Sequence, residues 1–315
     1  MRIAVAALLL AYAAAVSAAG TRWLPRAAWP HRAPRVGIAA WLAGALSVTA
    51  SWAGAGLILA IPCAELTTSP AMLRSCLSLL RAQYSAPAGA AAGIAGGLLA
   101  AAVIGRLAWA SGSAMTVGRR RRARHDDALA VLGRPGPAAD IRIIDSDRPA
   151  AYCMPSRRRI VFTTGALTHL DDSQLEAVLA HERAHLAGRH HLVLAATATL
   201  ERAFPGIWFF AAAALQVTYL VEVAADDAAT RRAPRLTLAA ALLAVAASGV
   251  PAGALGAGGS AAAQRIGRLI DPPLRGGIGQ RAVTAAALAA AAAASAAMLA
   301  LAAVTITRCM GLYAW

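Results

Sequence analysis

Charge is scarce in this sequence. Only 14% of its 315 residues are Asp, Glu, Lys or Arg, against roughly 25% in soluble domains. With 59% hydrophobic residues and a mean hydropathy of +0.57, such a chain cannot be an ordinary soluble protein. Glutamate is scarcer still, with five in the whole chain, so carboxylate chemistry has few candidates. The four cysteines, Cys63, Cys76, Cys153 and Cys309, contain no C-x-x-C pair, which excludes a thiolate metal knuckle and a dense disulfide framework. Aromatic residues make up 5% and do not interleave with basic ones. Despite a net charge of +15, no nucleic-acid platform is readable and direct nucleic-acid binding is not expected. No internal repeat is present.

Long uncharged runs of Ala, Leu, Val and Gly take the place of the missing charge. Residues 3–20 form an apolar run just long enough to span a bilayer, 36–63 carry no charge, and 87–110 are interrupted only by Arg106. A cleavable signal peptide is the alternative for the first run, because "VSA-AG" resembles a small-residue cleavage site. The charge flanks favour a retained helix: Arg2 alone precedes it, whereas Arg22, Arg26, Arg32 and Arg35 follow it. Arginine-rich flanks stay in the cytoplasm. The block "GRRRRARH" after the third run obeys the same rule. Together these signals put the N-terminus outside, the first loop inside, the second outside and the basic block inside. Cys63 and Cys76 then fall in an outer loop, where they are either a disulfide or two unpaired thiols, and Cys153 falls in a reducing compartment.

From about 119 to 202 the composition is that of a soluble domain. "ARHDDALAVLG" reads as a short helix stopped by Gly133 and Pro135. "DIRIIDSD", "AAYCMPS" and "RRIVFTTG" read as strands. A further helix starts near Asp171–Ser173, where Ser173 and Glu176 have capping-box spacing, and Gly188 marks its end. Later apolar stretches at 206–221 and 236–258 are ambiguous. The last run, 282–307, is long enough to span.

The chemistry lies in "LAHERAHLAGRHH", residues 179–191. His181 and His185 are four residues apart, one turn up the same face of a helix. Two imidazoles so placed can bind one Zn²⁺, and Glu182 between them is positioned to act as general base on a water. From seven histidines and five glutamates in 315 residues, the chance expectation of H-E-x-x-H is only about 0.002. A catalytic zinc site needs a third protein ligand. Glu222 and Asp226, in "YLVEVAADDAAT", share a helical face; Glu222 fits the third ligand, and Asp226 can hold the outer nitrogen of a ligand histidine. The alternative is an acidic cluster paired with Arg231 and Arg232. His190 and His191 lie past Gly188, off the metal face, and read as supporting or solvent-facing residues.

"AYCMPSRRRIVFTTGALTHLDDSQLEAVLAHERAHLAGRHHL", followed by "EVAADDAAT", resembles the membrane gluzincin peptidases, which comprise the HtpX/CaaX-protease type and the BlaR/MecR antirepressor type. The resemblance covers roughly residues 125–275. Three N-terminal spans, a cytoplasmic protease and one C-terminal span look closer to the BlaR/MecR branch, as does the basic segment "QRIGRLIDPPLR". The resemblance implies zinc on His181, His185 and Glu222, Glu182 as base and Asp226 as support. It also implies that "AAYCMPS" borders the cleft as an edge strand that pairs with an extended peptide. The β-lactam sensors carry a C-terminal penicillin-binding domain that is not found here after residue 307, so antibiotic sensing by that route is not expected.

The expected architecture is therefore an α-helical membrane protein with an inserted α+β zincin-like metalloprotease domain, helix-rich with a small sheet. Residues 1–117 hold three transmembrane helices (about 3–20, 36–60 and 87–110), 118–275 the cytoplasmic zinc metallopeptidase domain, and 276–315 a linker and a C-terminal transmembrane helix (about 282–307). The expected function is a multi-pass cell-membrane zinc metalloendopeptidase that cuts a protein or peptide substrate at the cytoplasmic face, in contact with membrane lipid. The alternatives are an antirepressor that cleaves a transcriptional repressor, or a catalytically inactive membrane scaffold. Shared metal chemistry also constrains topology. If 206–221 crossed the membrane, Glu222 and His181 would end on opposite sides. The stretch is too short for two crossings, so it either packs within the protease or lies against the bilayer, with Trp208, Phe209 and Phe210 at the interface.

Overall fold

Three apolar runs of this length must hide their backbone polar groups in helices, and in the computed structural model they do. The structure describes residues 2–60, 84–249 and 257–272, with a few isolated positions beside them. Cys63, Cys76, Cys309 and nearly all of the expected span at 282–307 lie outside the described residues. Helix α1 is Arg2–Trp23, α2 is Pro34–Ala60 and α3 is Pro87–Leu132. All three contain stretches long and apolar enough to cross a membrane. Ala6 and Leu9 of α1 pack on Ala55 and Ile58 of α2. Because the start of one helix meets the end of the other, the two run antiparallel. Helix α3 is 46 residues long, about 69 Å at 1.5 Å per residue. The segment "ARHDDALAVLG" is thus not a separate helix. It continues α3 through the basic block, because no Gly or Pro interrupts the chain between Gly118 and Gly133.

Helices α2 and α3 meet at a backbone crossing. A methyl group built on Gly96 would lie 2.4 Å from Leu59 Cβ and 2.7 Å from the Gly56 carbonyl. Gly96→Ala is therefore expected to force the helices apart and lower stability by about 1–3 kcal/mol, the usual cost of overpacking. Gly105→Ala on the same helix, where nothing lies within 4 Å, is expected to leave stability unchanged or slightly raised. Thermal unfolding of the detergent-solubilised pair checks the contrast.

The strands start where α3 ends. The sheet has the order β1-β2-β4-β3, with β1 Arg134–Pro135, β2 Ile141–Ile144, β3 Ala151–Met154 and β4 Arg159–Thr163. Strands β2 and β4 are parallel and β3 is antiparallel to β4, so β3 lies on a sheet edge. The period-two alternation of β3 divides its side chains between two layers. Tyr152 and Met154 pack with Leu129 of α3, while Ala151 and Cys153 pack in the cluster of Val178 and Leu179. The short helix α4 (Thr164–His169) follows β4 and leads to α5, Asp172–Ala187. The capping box of α5 is formed by Asp171 and Gln174, two residues before the expected Ser173–Glu176 pair. Ser173 donates its hydroxyl to Asp171 instead.

Helix α6 (His190–Ala203) and helix α7 (Trp208–Ala229) form a hairpin. Its turn contains Gly206 at φ +82°, a value that side chains other than glycine's rarely tolerate. The hairpin joins the membrane-type helices, with Phe204, Phe209, Phe210, Ala213 and Val217 in one cluster with Trp41 and Val48 of α2. Arg106, the one charge in the third run, donates to the Ala203 carbonyl at the end of α6. Helix α7 is itself long and apolar enough to cross a membrane. The expectation at 206–221 is thus refined. Phe209 and Phe210 are buried between helices and Trp208 is exposed, and α6, 14 residues or about 21 Å long, runs beside α7 without being long enough to cross a bilayer core. Because the chain goes down α6 and returns along α7, Glu222 comes back to the end where His190 starts. Helix α8 (Arg235–Gly249) is 15 residues long, about 22 Å, too short for a bilayer core of about 30 Å. It packs on α5 and on α9 (Ala257–Ile270) through Leu238, Ala239, Ala177 and Leu269.

Candidate metal centre

Helix α5 presents His181 and Glu182, both buried, and His185, half-buried, along one stripe. Helix α7 packs beside it and brings Glu222 and Asp226 to the same place, 41 and 45 residues downstream of His181. His181 Nε2 and His185 Nε2 are 3.0 Å apart. Glu222 Oε2 is 3.6 Å from His181 Nε2, and Glu222 Oε1 is 3.5 Å from His185 Nε2. A tetrahedral ion with bonds of about 2.1 Å needs ligand atoms about 3.4 Å apart. The two Nε2 atoms and the two oxygens of Glu222 lie near that spacing, and the donor set, two imidazoles and a carboxylate, suits zinc.

The surroundings hold the two imidazole rings in place. Asp226 Oδ1 lies 3.0 Å from His181 Nδ1, and His190 Nδ1 lies 3.0 Å from His185 Nδ1. Both outer imidazole nitrogens thus have a polar neighbour, as ligand histidines require. Burial disfavours a charged His181, but the Asp226 and Glu222 carboxylates outweigh it and raise the imidazole to about 9. His185 behaves oppositely, with burial and the neighbouring His181 charge lowering it to about 4, so it keeps the neutral form a metal ligand needs. Burial raises the Glu182 carboxyl to about 7. Its neighbour on the edge strand is Cys153, whose thiol hydrogen-bonds to it and is pushed up to about 12, first by burial and then by the Glu182 charge.

Arg265 of α9 was not singled out from the sequence. Its guanidinium donates through Nε to Asp226 Oδ2 and through the second nitrogen to Asp226 Oδ1, both at 2.8 Å, and sits 2.8 Å from Glu222 Oε2. Three residues on, Arg268 makes the same paired contact with Asp227 at 2.7 and 3.1 Å. The acidic cluster does pair with arginines, but with Arg265 and Arg268 rather than Arg231 and Arg232. The Arg231 guanidinium donates to the Asp227 carbonyl, not to a carboxylate, among the described residues. The signal was the i, i+3 spacing of two arginines on one helix face matched to Asp226–Asp227, inside a segment legible only as basic.

Residues 116–258 match the sequence profile of peptidase family M48. Over 81 residues the chain is 37% identical to a Protease HtpX homolog of Acidiphilium cryptum (strain JF-5), a match covering 25% of this chain and 28% of that protein. The chain thus spans under a third of that relative's length. No solved structure gives a significant match. Neither match bears on the BlaR/MecR branch in particular. Together with the four apolar helices among the described residues, these matches make the chain similar to membrane-type M48 metallopeptidases.

Proposed function

We propose that the protein is a multi-pass membrane zinc metalloendopeptidase that cuts a protein or peptide substrate at the cytoplasmic face. The observation that carries this reading is the convergence of His181, His185 and Glu222, whose ligand atoms all lie within 4.8 Å of one another, inside the M48-matching segment. His181, His185 and Glu222 hold the ion. Asp226 fixes the His181 ring and His190 the His185 ring. When bound, Zn²⁺ supplies Lewis acidity toward a peptide carbonyl and an attacking water. Glu182 takes the proton from that water and returns it to the leaving amine nitrogen. Strand β3 offers its free edge to an extended substrate, which places the scissile bond beside Glu182 through Cys153. The cytoplasmic assignment follows from Arg22, Arg26, Arg32, Arg35 and the 119–122 arginines, which flank the apolar helices at the end carrying the site.

Metal removal tests the reading. Full-length protein in detergent, dialysed against a chelator, is expected to stop hydrolysing β-casein and to recover with stoichiometric Zn²⁺. Hydrolysis that survives complete metal removal would sink the assignment. In the same titration, Asp226→Asn is expected to weaken zinc binding about 10- to 100-fold, the usual effect of removing a partner of a ligand histidine.

A further inference from the structure

Helices α5 and α7 carry the metal cradle on one face and a cavity on the other. At 100° per residue, Ala180 and Ala187 of α5 point away from His181 and His185, Ala184 stands at the border of the two faces, and Ala224 and Ala228 of α7 point away from Glu222 and Asp226. These small side chains line a cavity of about 970 Å³. Its charged lining is one-sided: Arg35, Arg158, Arg183, Arg231 and Arg232 face a single carboxylate, Asp140. Asp140 is taken by Arg183 at 3.2 Å. Arg35, Arg158 and Arg232 have no carboxylate partner among the described residues. Several guanidinium groups around one hollow repel one another unless an anion joins them, and their planar forks match phosphate oxygens.

The position of the cavity indicates which anion. Arg35 is the second residue of α2, a helix apolar enough to cross a membrane. Ile38, one turn deeper, and Val193, in the first turn of α6, add apolar walls to the same cavity. An arginine ring with an apolar floor, at the basic end of membrane-type helices, lies at the level of lipid headgroups. We propose that this cavity binds the phosphate of an anionic phospholipid headgroup, docking the face of the α5–α7 pair opposite the cradle onto the membrane surface. His190 also lines the cavity and contacts His185 at 3.0 Å, so the two sites share a wall.

Native mass spectrometry of the full-length protein in detergent, titrated with phosphatidylglycerol or phosphatidylcholine, tests the proposal. Phosphatidylglycerol is expected to bind at least tenfold more tightly. Arg35→Gln and Arg232→Gln are each expected to weaken it about fivefold, the usual worth of one basic residue near an anionic headgroup. Arg120→Gln, in the basic block but outside the cavity, is expected to leave binding unchanged. Asp140→Asn is expected to tighten binding, a gain that misfolding cannot produce. Equal binding of the two lipids overturns the site, as does a preference that survives Arg35→Gln/Arg232→Gln or falls equally with Arg120→Gln. Saturation by millimolar inorganic phosphate without lipid preference overturns the lipid assignment in favour of a soluble anion.

Discussion

Glu182→Gln is expected to lower the rate of peptide hydrolysis by about 10²- to 10⁴-fold, the range supplied by a positioned general base. Zinc content is expected to stay at the wild-type level, because Glu182 is not among the three clustered ligand residues. The amide keeps the shape and most of the hydrogen bonding of the carboxyl group but cannot accept the proton of an attacking water. The substitution thus separates proton transfer from folding and metal binding. Glu176→Gln provides the control. It lies on the exposed side of the same helix and is expected to change neither activity nor metal content. Casein hydrolysis and bound zinc, measured on the same preparations, decide the matter. Undiminished cleavage by the Glu182 variant, or a parallel loss of zinc, would remove Glu182 from the role of base. In cells, fragments present with wild-type protein and absent with the variant would identify the substrate.

Arg265→Leu is expected to cost about 3–5 kcal/mol of stability, because it removes one partner from a buried charge pair and strands the other. The Asp226 side chain is 2% exposed and that of Arg265 13%, so water cannot replace the two hydrogen bonds lost. Thermal unfolding of the metal-free protein is expected to show a fall of several degrees. Arg265→Lys recovers only part of it, since an ammonium is a point charge and cannot reproduce the two-pronged contact. Arg231→Leu, at an exposed position, is expected to shift stability by no more than about 0.5 kcal/mol. A melting temperature for Arg265→Leu equal to that of Arg231→Leu would show that the network does not hold α9 to α7.

The H-E-x-x-H pair was legible because its geometry is local. Residues four apart on one helix must share a face, whatever the rest of the chain does. The strands around Ile141, Cys153 and Val161 were legible for the same kind of reason, as short β-branched and aromatic runs between turn residues. What was not legible depended on distant partners. Ser173 and Asp171 are both good caps, and the choice fell to Asp171 because Gln174 could complete the reciprocal bond. The aromatic cluster at 208–210 read as either packed within the protease or placed at the bilayer interface, and Phe209 and Phe210 are seated among Trp41, Trp52 and Phe204. Hydropathy reports that a side chain avoids water and cannot distinguish lipid from protein as its new surroundings.

By itself the sequence determined a membrane-type chain, the side on which its arginines gather, the His–Glu–His stripe and the acidic pair that could complete it. Apolar length, charge flank and helical period are properties of adjacent residues, and they need no tertiary information. Only the folded chain decided that α6 and α7 form a hairpin returning Glu222 to His181, that Arg265 rather than Arg231 neutralises Asp226, and that His190 supports His185. It also decided that five arginines from four separate segments line one cavity behind the cradle. Those outcomes depend on which helix faces pack together. Packing is a matter of shape and burial between residues up to 150 and more positions apart, which no local pattern encodes.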